Sequence, residues 1–170
     1  MIISLRSLSY SDLLKLLNKS DKIVIWSCNG CVKGLKLGGR AKLSKLADML
    51  KADGFNVIHT ELIGMSCVYN LVEKRKIHSA TRDIFKEATT IIVLACEDGY
   101  DNVKQVFDDK KVIKVTKTVG LGGVSVERGP ILTHPFEETG LKPNINGYTM
   151  SEVAEKLNLY PTFFDADKPE

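Results

Sequence analysis

The residues of this sequence best suited to chemistry are its four cysteines. Cys28 and Cys31 form a CxxC pair, while Cys67 and Cys96 stand singly farther along the chain. All three places follow short apolar runs that are typical of buried strands. Thiolates bind zinc and iron–sulfur clusters, and a CxxC pair also supports thiol–disulfide exchange. The pattern therefore predicts a metal centre or a dithiol site.

Hydrophobic patterning predicts the elements that must position these cysteines. Strands are expected over 22–26, 55–62, 89–95 and 111–115, and helices over 9–18, 41–52, 68–73, 79–86, 100–107 and 152–157. Alternation of strands and helices is typical of a parallel sheet with helices on both faces. We therefore predict an α/β fold with a Rossmann-like or flavodoxin-like sheet of about four strands. The expected spatial order is second, first, third, fourth.

The character of the sequence changes after Thr116. Closely spaced glycines and prolines predict an irregular C-terminal extension, with a short hairpin around 124–126 and 131–132. The aromatic tail at 160–164 is expected to pack on the domain, because exposing several aromatic rings to water is costly. We predict one domain over residues 1–170, with a core over 20–123 and the extension over 124–170.

In open α/β sheets, ligands bind beyond the carboxyl ends of the strands. Cys28, Cys31, Cys67 and Cys96 follow three different predicted strands, so they are expected to meet at one sheet edge. Zinc ribbons usually supply two tight pairs of ligands, whereas only one pair is tight here. We therefore prefer a four-cysteine [4Fe–4S] cluster to zinc. The backbone N–H groups of Gly30, Gly99 and Gly122 are expected to hydrogen-bond its sulfurs.

Other interpretations of the cysteines stay open at this point. The thiols can hold a structural zinc ion, and Cys67 or Cys96 can be small buried core residues. Cys28 and Cys31 alone can form a dithiol redox site. That site usually has a helix beginning at its first cysteine, and the glycines around Gly30 disfavour such a start.

The remaining polar residues give weaker signals. His59, His78 and His134 stand in different segments, and we find no Ser–His–Asp set and no HExxH motif. The glycines at 120–123 lack the context of a dinucleotide-binding loop and predict a turn. A basic stretch is typical of a solvated face, but here it can also offset the charge of a thiolate cluster or dock an acidic partner; it comprises Lys33, Lys36, Arg40, Lys42 and Lys45.

Composition limits the class of protein. The chain has 170 residues, of which 44% are hydrophobic and 26% charged, with a net charge of +3. These values are ordinary for a globular domain. We expect no membrane span, no signal peptide and no nucleic-acid partner, and a cytoplasmic location in which thiols stay reduced.

Several stretches together resemble a known family. They are Cys28-Asn29-Gly30-Cys31 with Gly38-Gly39, then 46–50 and 54–57, then Cys67, and the run from Ile92 to Tyr100 that contains Ala95-Cys96-Glu97-Asp98-Gly99. In these features residues 20–123 resemble the methylenetetrahydrofolate reductase C-terminal domain family. That family includes the MetV-type accessory subunits, associated with iron–sulfur or zinc centres, that accompany a flavin-bearing reductase.

The resemblance implies an iron–sulfur accessory or electron-transfer subunit in one-carbon metabolism, involving folate or corrinoid. Its cluster ligands would be Cys28, Cys31, Cys67 and Cys96. The implied partner is a larger flavin- or corrinoid-dependent subunit that carries the substrate and flavin sites, so this chain would not itself be the catalyst. Family members often carry a second segment of the kind CxxCGxC. Residues 127–141 contain no cysteine, so a second cluster is not expected.

Overall fold

A computed structural model describes residues 1–164. Its strands are β1 (Ile2–Arg6), β2 (Lys22–Cys28), β3 (Asn56–Ile63), β4 (Thr90–Leu94), β5 (Lys111–Lys114), β6 (Thr116–Ser125), β7 (Gly129–Pro135) and β8 (Tyr148–Thr149). Its helices are α1 (Tyr10–Lys15), α2 (Cys31–Gly34), α3 (Arg40–Ala52), α4 (Tyr69–Ile77), α5 (Arg82–Glu87), α6 (Glu97–Val106) and α7 (Met150–Leu157), with a 3₁₀ turn over Glu137–Thr139.

Four strands form the predicted parallel sheet, in the order β3-β2-β4-β5. The α/β class and the predicted strand order are therefore confirmed. The residues of β4 are all buried, as are six of the seven in β2, which is why both strands read as nearly continuous apolar runs. In the register of the sheet, Ser27 lies opposite Leu94, and Cys28 lies opposite Ile63.

A second sheet is antiparallel and has the order β1-β6-β7-β8. The predicted hairpin is present, but the segment around it is more regular than expected, and β1 was not predicted. The glycines of β6 allow close strand contact instead of marking turns: a Cβ atom at Gly122 would lie 1.9 Å from the carbonyl oxygen of Ile131.

Two hydrophobic clusters cover the opposite faces of the parallel sheet. Alternate residues of β2 divide between them, with Val24, Trp26 and Cys28 in one cluster and Ile23 and Ile25 in the other. The first cluster extends to the antiparallel sheet and joins the two sheets into one core. The second includes the side chains of α1 and α3 and the buried rings of Phe163 and Phe164, which confirms that the aromatic tail packs on the domain.

Two differences between predicted and observed helices lie beside the cysteines. The single turn of α2 begins at Cys31 and was not predicted. Helix α6 begins at Glu97, three residues earlier than predicted, which makes Cys96 its N-cap residue. Among residues 1–164, no helix has the length and apolar character needed to cross a bilayer.

Candidate metal centre at the carboxyl edge of the parallel sheet

Three adjacent strands deliver the cysteines to one edge of the parallel sheet. Cys28 is the last residue of β2, and Cys31 begins α2 directly after it. Cys67 lies in the loop between β3 and α4, and Cys96 follows β4. Because β3 and β4 both pair with β2 in parallel, these exit loops lie side by side. The observed strand order therefore brings the four cysteines to the same edge of the sheet.

The sulfur of Cys28 lies at the centre of a small hydrogen-bond network. It accepts from the backbone N–H of Gly30 at 3.3 Å and from that of Ser66 at 3.5 Å, and its S–H faces the carbonyl oxygen of Gly64 at 3.5 Å. The N–H groups of the CxxC loop and of the loop after β3 therefore both point at one sulfur. Such donors stabilise a thiolate ligand.

Ser66 holds the Cys67 loop against the sheet. Its hydroxyl accepts a hydrogen bond from the indole N–H of Trp26 at 2.9 Å, and its carbonyl oxygen accepts one from the side-chain amide of Asn102 at 3.0 Å. The Ser66 side chain is fully buried, whereas neighbouring Cys67 is exposed. The loop is thus tied to β2 and α6 at the residue before the thiol.

Gly99 brings α6 into close contact with the same loop. A Cβ atom at this position would lie 2.8 Å from the Cβ of Ser66 and 2.9 Å from that of Ala95. Its backbone N–H donates to the Cys96 thiol and opposes the rise in the pKa of that thiol. A glycine here therefore serves both the packing of the loop and the environment of the sulfur.

The thiols lie within electrostatic range of one another. The pKa of Cys96 is raised to about 11, chiefly by burial and to a smaller extent by negative charge on Asp98, Cys67 and Cys28, against the opposing effect of the Gly99 N–H. The pKa of Cys67 is also raised, chiefly by partial desolvation and then by charge on Cys28, with smaller effects of Asp98 and Cys31. Negative charge on a neighbouring thiolate thus disfavours ionisation of both Cys67 and Cys96.

The donor set suits a metal centre. All four cysteines are free thiols, two of them buried, and N–H donors approach the sulfurs of Cys28 and Cys96. Within residues 1–164, no three His, Cys, Asp or Glu side chains are already arranged around the position of a single ion. The four cysteines that would bind a metal centre therefore lie at one edge of the sheet, but they do not surround the position of a single ion.

Other candidate residues lie elsewhere. Gly122 is in the antiparallel sheet, where its N–H donates to the carbonyl oxygen of Met1 at 3.0 Å. His59 forms an ion pair with Glu61 at 3.1 Å in β3, and His134 lies in β7 beside the Thr133 hydroxyl. His78 is exposed at the end of α4. None of these residues is among the groups that contact or electrostatically influence Cys67 and Cys96.

Sequence reasoning missed the residues that support the thiols. Ser66, Trp26 and Asn102 position the Cys67 loop, and Asp98 adds negative charge beside Cys96. Two of these residues could have been noticed in the sequence. Trp26 is the only tryptophan of the chain and ends an aliphatic run, and Ser66 directly precedes the candidate ligand Cys67. A buried indole N–H needs an acceptor.

Comparison with known proteins finds no matching protein-family model, no matching curated protein and no matching solved structure.

Proposed function

We propose that this protein binds an iron–sulfur cluster through Cys28, Cys31, Cys67 and Cys96 and serves as an electron-transfer or accessory subunit. The observation that carries the proposal is the arrival of these thiols, from three exit loops, at the carboxyl edge of one parallel sheet. Cysteine thiolates are the usual ligands of such clusters. When bound, the cluster would accept and donate single electrons.

The arrangement of the ligands favours a cluster over zinc. In a four-iron cluster each thiolate binds a different iron, so the ligands can come from separated loops. A structural zinc ion needs all four sulfurs at about 2.3 Å from one point. A zinc scaffold is the second candidate, because four cysteine thiolates are also a usual ligand set of structural zinc.

The chain's own groups would tune the potential of a bound cluster. The N–H groups of Gly30, Ser66 and Gly99 donate to sulfurs, and such bonds stabilise the more reduced, more negative state. Exposure at Cys67 would give solvent or a partner access to one side of the site. A redox reaction would therefore be expected to occur through the Cys67 side.

A dithiol redox enzyme that uses Cys28 and Cys31 alone is less well supported. Thioredoxin-like sites begin their helix at the first cysteine, whereas α2 begins at Cys31 and has Gly30 as its N-cap. Cys28 is also 95% buried, which limits attack on a substrate disulfide. We therefore place this activity last.

We also propose a metabolic setting and a class of partner for the protein. The motif resemblance suggests one-carbon metabolism of folate or corrinoid, with a larger flavin- or corrinoid-dependent partner. Exposed Met65, Val68 and Tyr69 flank Cys67 and would give such a partner an apolar contact around the cluster. Copurification of a flavin- or corrinoid-containing protein from the native host would support this setting, and reduction of the cluster by that protein would establish it.

Single substitutions test the ligand assignment. After anaerobic reconstitution with iron and sulfide, Cys28→Ser, Cys31→Ser, Cys67→Ser and Cys96→Ser should each lower the visible absorbance and the bound iron. His78→Ala serves as the control, since this exposed histidine lies at the end of α4. Full absorbance in both the Cys67 and Cys96 variants would refute four-cysteine ligation and return the dithiol interpretation.

A further inference from the structure

A cavity of about 450 Å³ lies beside the cysteine edge. The loop between β2 and α3 and the first turn of α3 form most of its wall, and Leu62 contributes from β3. Asn29, the residue between Cys28 and Gly30, also lines it. The cavity is in the volume range of small-molecule sites and opens next to the candidate metal centre.

The side chains that line this cavity give it a strong positive charge. Lys33, Lys36, Arg40 and Lys42 contribute to the wall, and none of the described lining residues is acidic. Lys42 is already engaged, since its ammonium lies 4.8 Å from the centre of the Phe163 ring. Within residues 1–164, Lys33, Lys36 and Arg40 make no ion pair.

A second basic cavity provides a comparison, because its lysines and arginine do form ion pairs. That cavity, of about 440 Å³, is lined by Lys76, Arg82, Lys86 and Lys110 at the opposite edge of the parallel sheet. Its cations have partners: Lys76 lies 3.8 Å from Asp108, Arg82 lies 3.0 Å from Asp83, and Lys110 lies 3.1 Å from Asp109. Three aspartates thus offset most of the positive charge there, whereas no carboxylate of residues 1–164 pairs with Lys33, Lys36 or Arg40 beside the cysteines.

The backbone that carries these cations is fixed. The N–H of Gly39 donates to the buried hydroxyl of Ser27 at 2.9 Å, and a Cβ atom at Gly38 would lie 2.8 Å from Val32. Gly39 has a φ of +83°, which favours glycine. The loop therefore packs closely on α2 and holds Lys33, Lys36 and Arg40 around one space.

We propose that this cavity binds a small phosphate-bearing molecule, with a phosphate group among Lys33, Lys36 and Arg40. Lysine and arginine form charge-assisted hydrogen bonds to phosphate oxygens, and a doubly charged group would offset two of the three unpaired positive charges. Leu62 and Ala41 offer apolar contact to the organic part of the ligand. The site is formed by the polypeptide alone, so binding does not depend on the metal centre.

Isothermal titration calorimetry with inorganic pyrophosphate tests the proposal on the full chain. The double variant Lys36→Gln/Arg40→Gln should bind at least about tenfold more weakly than the wild type, because two charge-assisted contacts are lost. The matched control is Lys86→Gln/Lys110→Gln, which changes the net charge equally at the other cavity. It should stay within about twofold of the wild type.

Two outcomes would overturn the proposal. One is the absence of saturable pyrophosphate binding by the wild type at low salt. The other is equal weakening in both double variants, which would indicate attraction to net charge alone. Circular dichroism spectra establish that the variants are folded. Pyrophosphate is titrated into metal-free and reconstituted protein in parallel. Binding by the metal-free protein would show that the phosphate site does not depend on whether the cysteines hold a cluster.

Discussion

The indole N–H of Trp26 donates to the hydroxyl of Ser66 across 2.9 Å, and both side chains are fully buried. The bond joins the central strand β2 to the residue directly before Cys67. The backbone N–H of Ser66 in turn approaches the sulfur of Cys28. A single serine thus couples the core of the sheet to two of the candidate ligands.

Substitution of Ser66 by alanine should lower the free energy of unfolding by about 1–3 kcal/mol, because the indole N–H is left buried without an acceptor. Chemical unfolding followed by the fluorescence of Trp26, the only tryptophan, measures this change. We also expect less iron per chain, since the Cys67 loop is loosened. Ser79→Ala, at an exposed position, should stay within about 0.5 kcal/mol of the wild type. An unchanged stability of Ser66→Ala would contradict the role given to this bond.

A methyl group at Gly99 should disturb the same loop by steric contact. Its Cβ would lie 2.8 Å from the Cβ of Ser66, so Gly99→Ala is expected to cost about 1–3 kcal/mol and to reduce cluster content. Gly64→Ala is the matched control, since no atom of residues 1–164 outside residues 63–65 lies within 4 Å of its added Cβ. Thermal unfolding and iron analysis of both variants make the comparison. Equal melting temperatures and iron contents in the two variants would show that the close contact between Gly99 and Ser66 affects neither stability nor cluster binding.

The Cys96 thiol should make the metal-free protein sensitive to alkali. Its pKa is raised to about 11 in the folded state from an unperturbed 9.0, so the folded chain binds the proton more tightly. This contribution is fully present below pH 9 and is lost as the pH rises toward 11. It amounts to about 3 kcal/mol at most, since each unit of pKa difference corresponds to about 1.4 kcal/mol.

Urea unfolding at a series of pH values checks this prediction. The free energy of unfolding of wild-type protein should fall more steeply above pH 9 than that of Cys96→Ala. Other groups that titrate at high pH are the same in both proteins and cancel in the difference. Cys67→Ala should flatten the curve less, because that thiol is exposed. Parallel curves for wild type and Cys96→Ala would disprove the raised pKa.

The antiparallel sheet should not tolerate a side chain at Gly122. A Cβ there would lie 1.9 Å from the carbonyl oxygen of Ile131, so Gly122→Ala is expected to destabilise the protein by about 3 kcal/mol. In the described part of the chain, no atom outside residues 122–124 lies within 4 Å of a Cβ added at Gly123, so Gly123→Ala should be neutral or slightly stabilising. Differential scanning calorimetry of the two variants decides this; similar melting temperatures would mean that β6 and β7 are not paired as described.

The parallel sheet could be predicted because its strands are buried on both faces and therefore read as apolar runs. The residues 23–26 and 91–94 are fully or almost fully buried and carry that signal. The antiparallel sheet could not be predicted in the same way. Its strand β6 contains three glycines in ten residues, and its strand β1 pairs with residues more than a hundred positions away. Local patterns carry no information on such distant pairing.

The candidate site could be predicted as far as its strand ends. Cys28, Cys67 and Cys96 follow predicted strands, so their common edge follows from parallel pairing. The supporting contacts could not be predicted, because the bond between Trp26 and Ser66 depends on how the loop after β3 folds back. Gly122 was grouped with the site by its glycine-rich context, yet it pairs with Met1 and Leu132 in the other sheet.

Elemental analysis of anaerobically purified wild-type protein shows whether the four cysteines bind an iron–sulfur cluster. Iron, acid-labile sulfide and zinc are measured per chain, together with the visible spectrum. We predict a brown protein with about four irons and four sulfides per chain, as one [4Fe–4S] cluster requires. A colourless protein with about one zinc ion, or one that takes up neither metal after reconstitution, would contradict it.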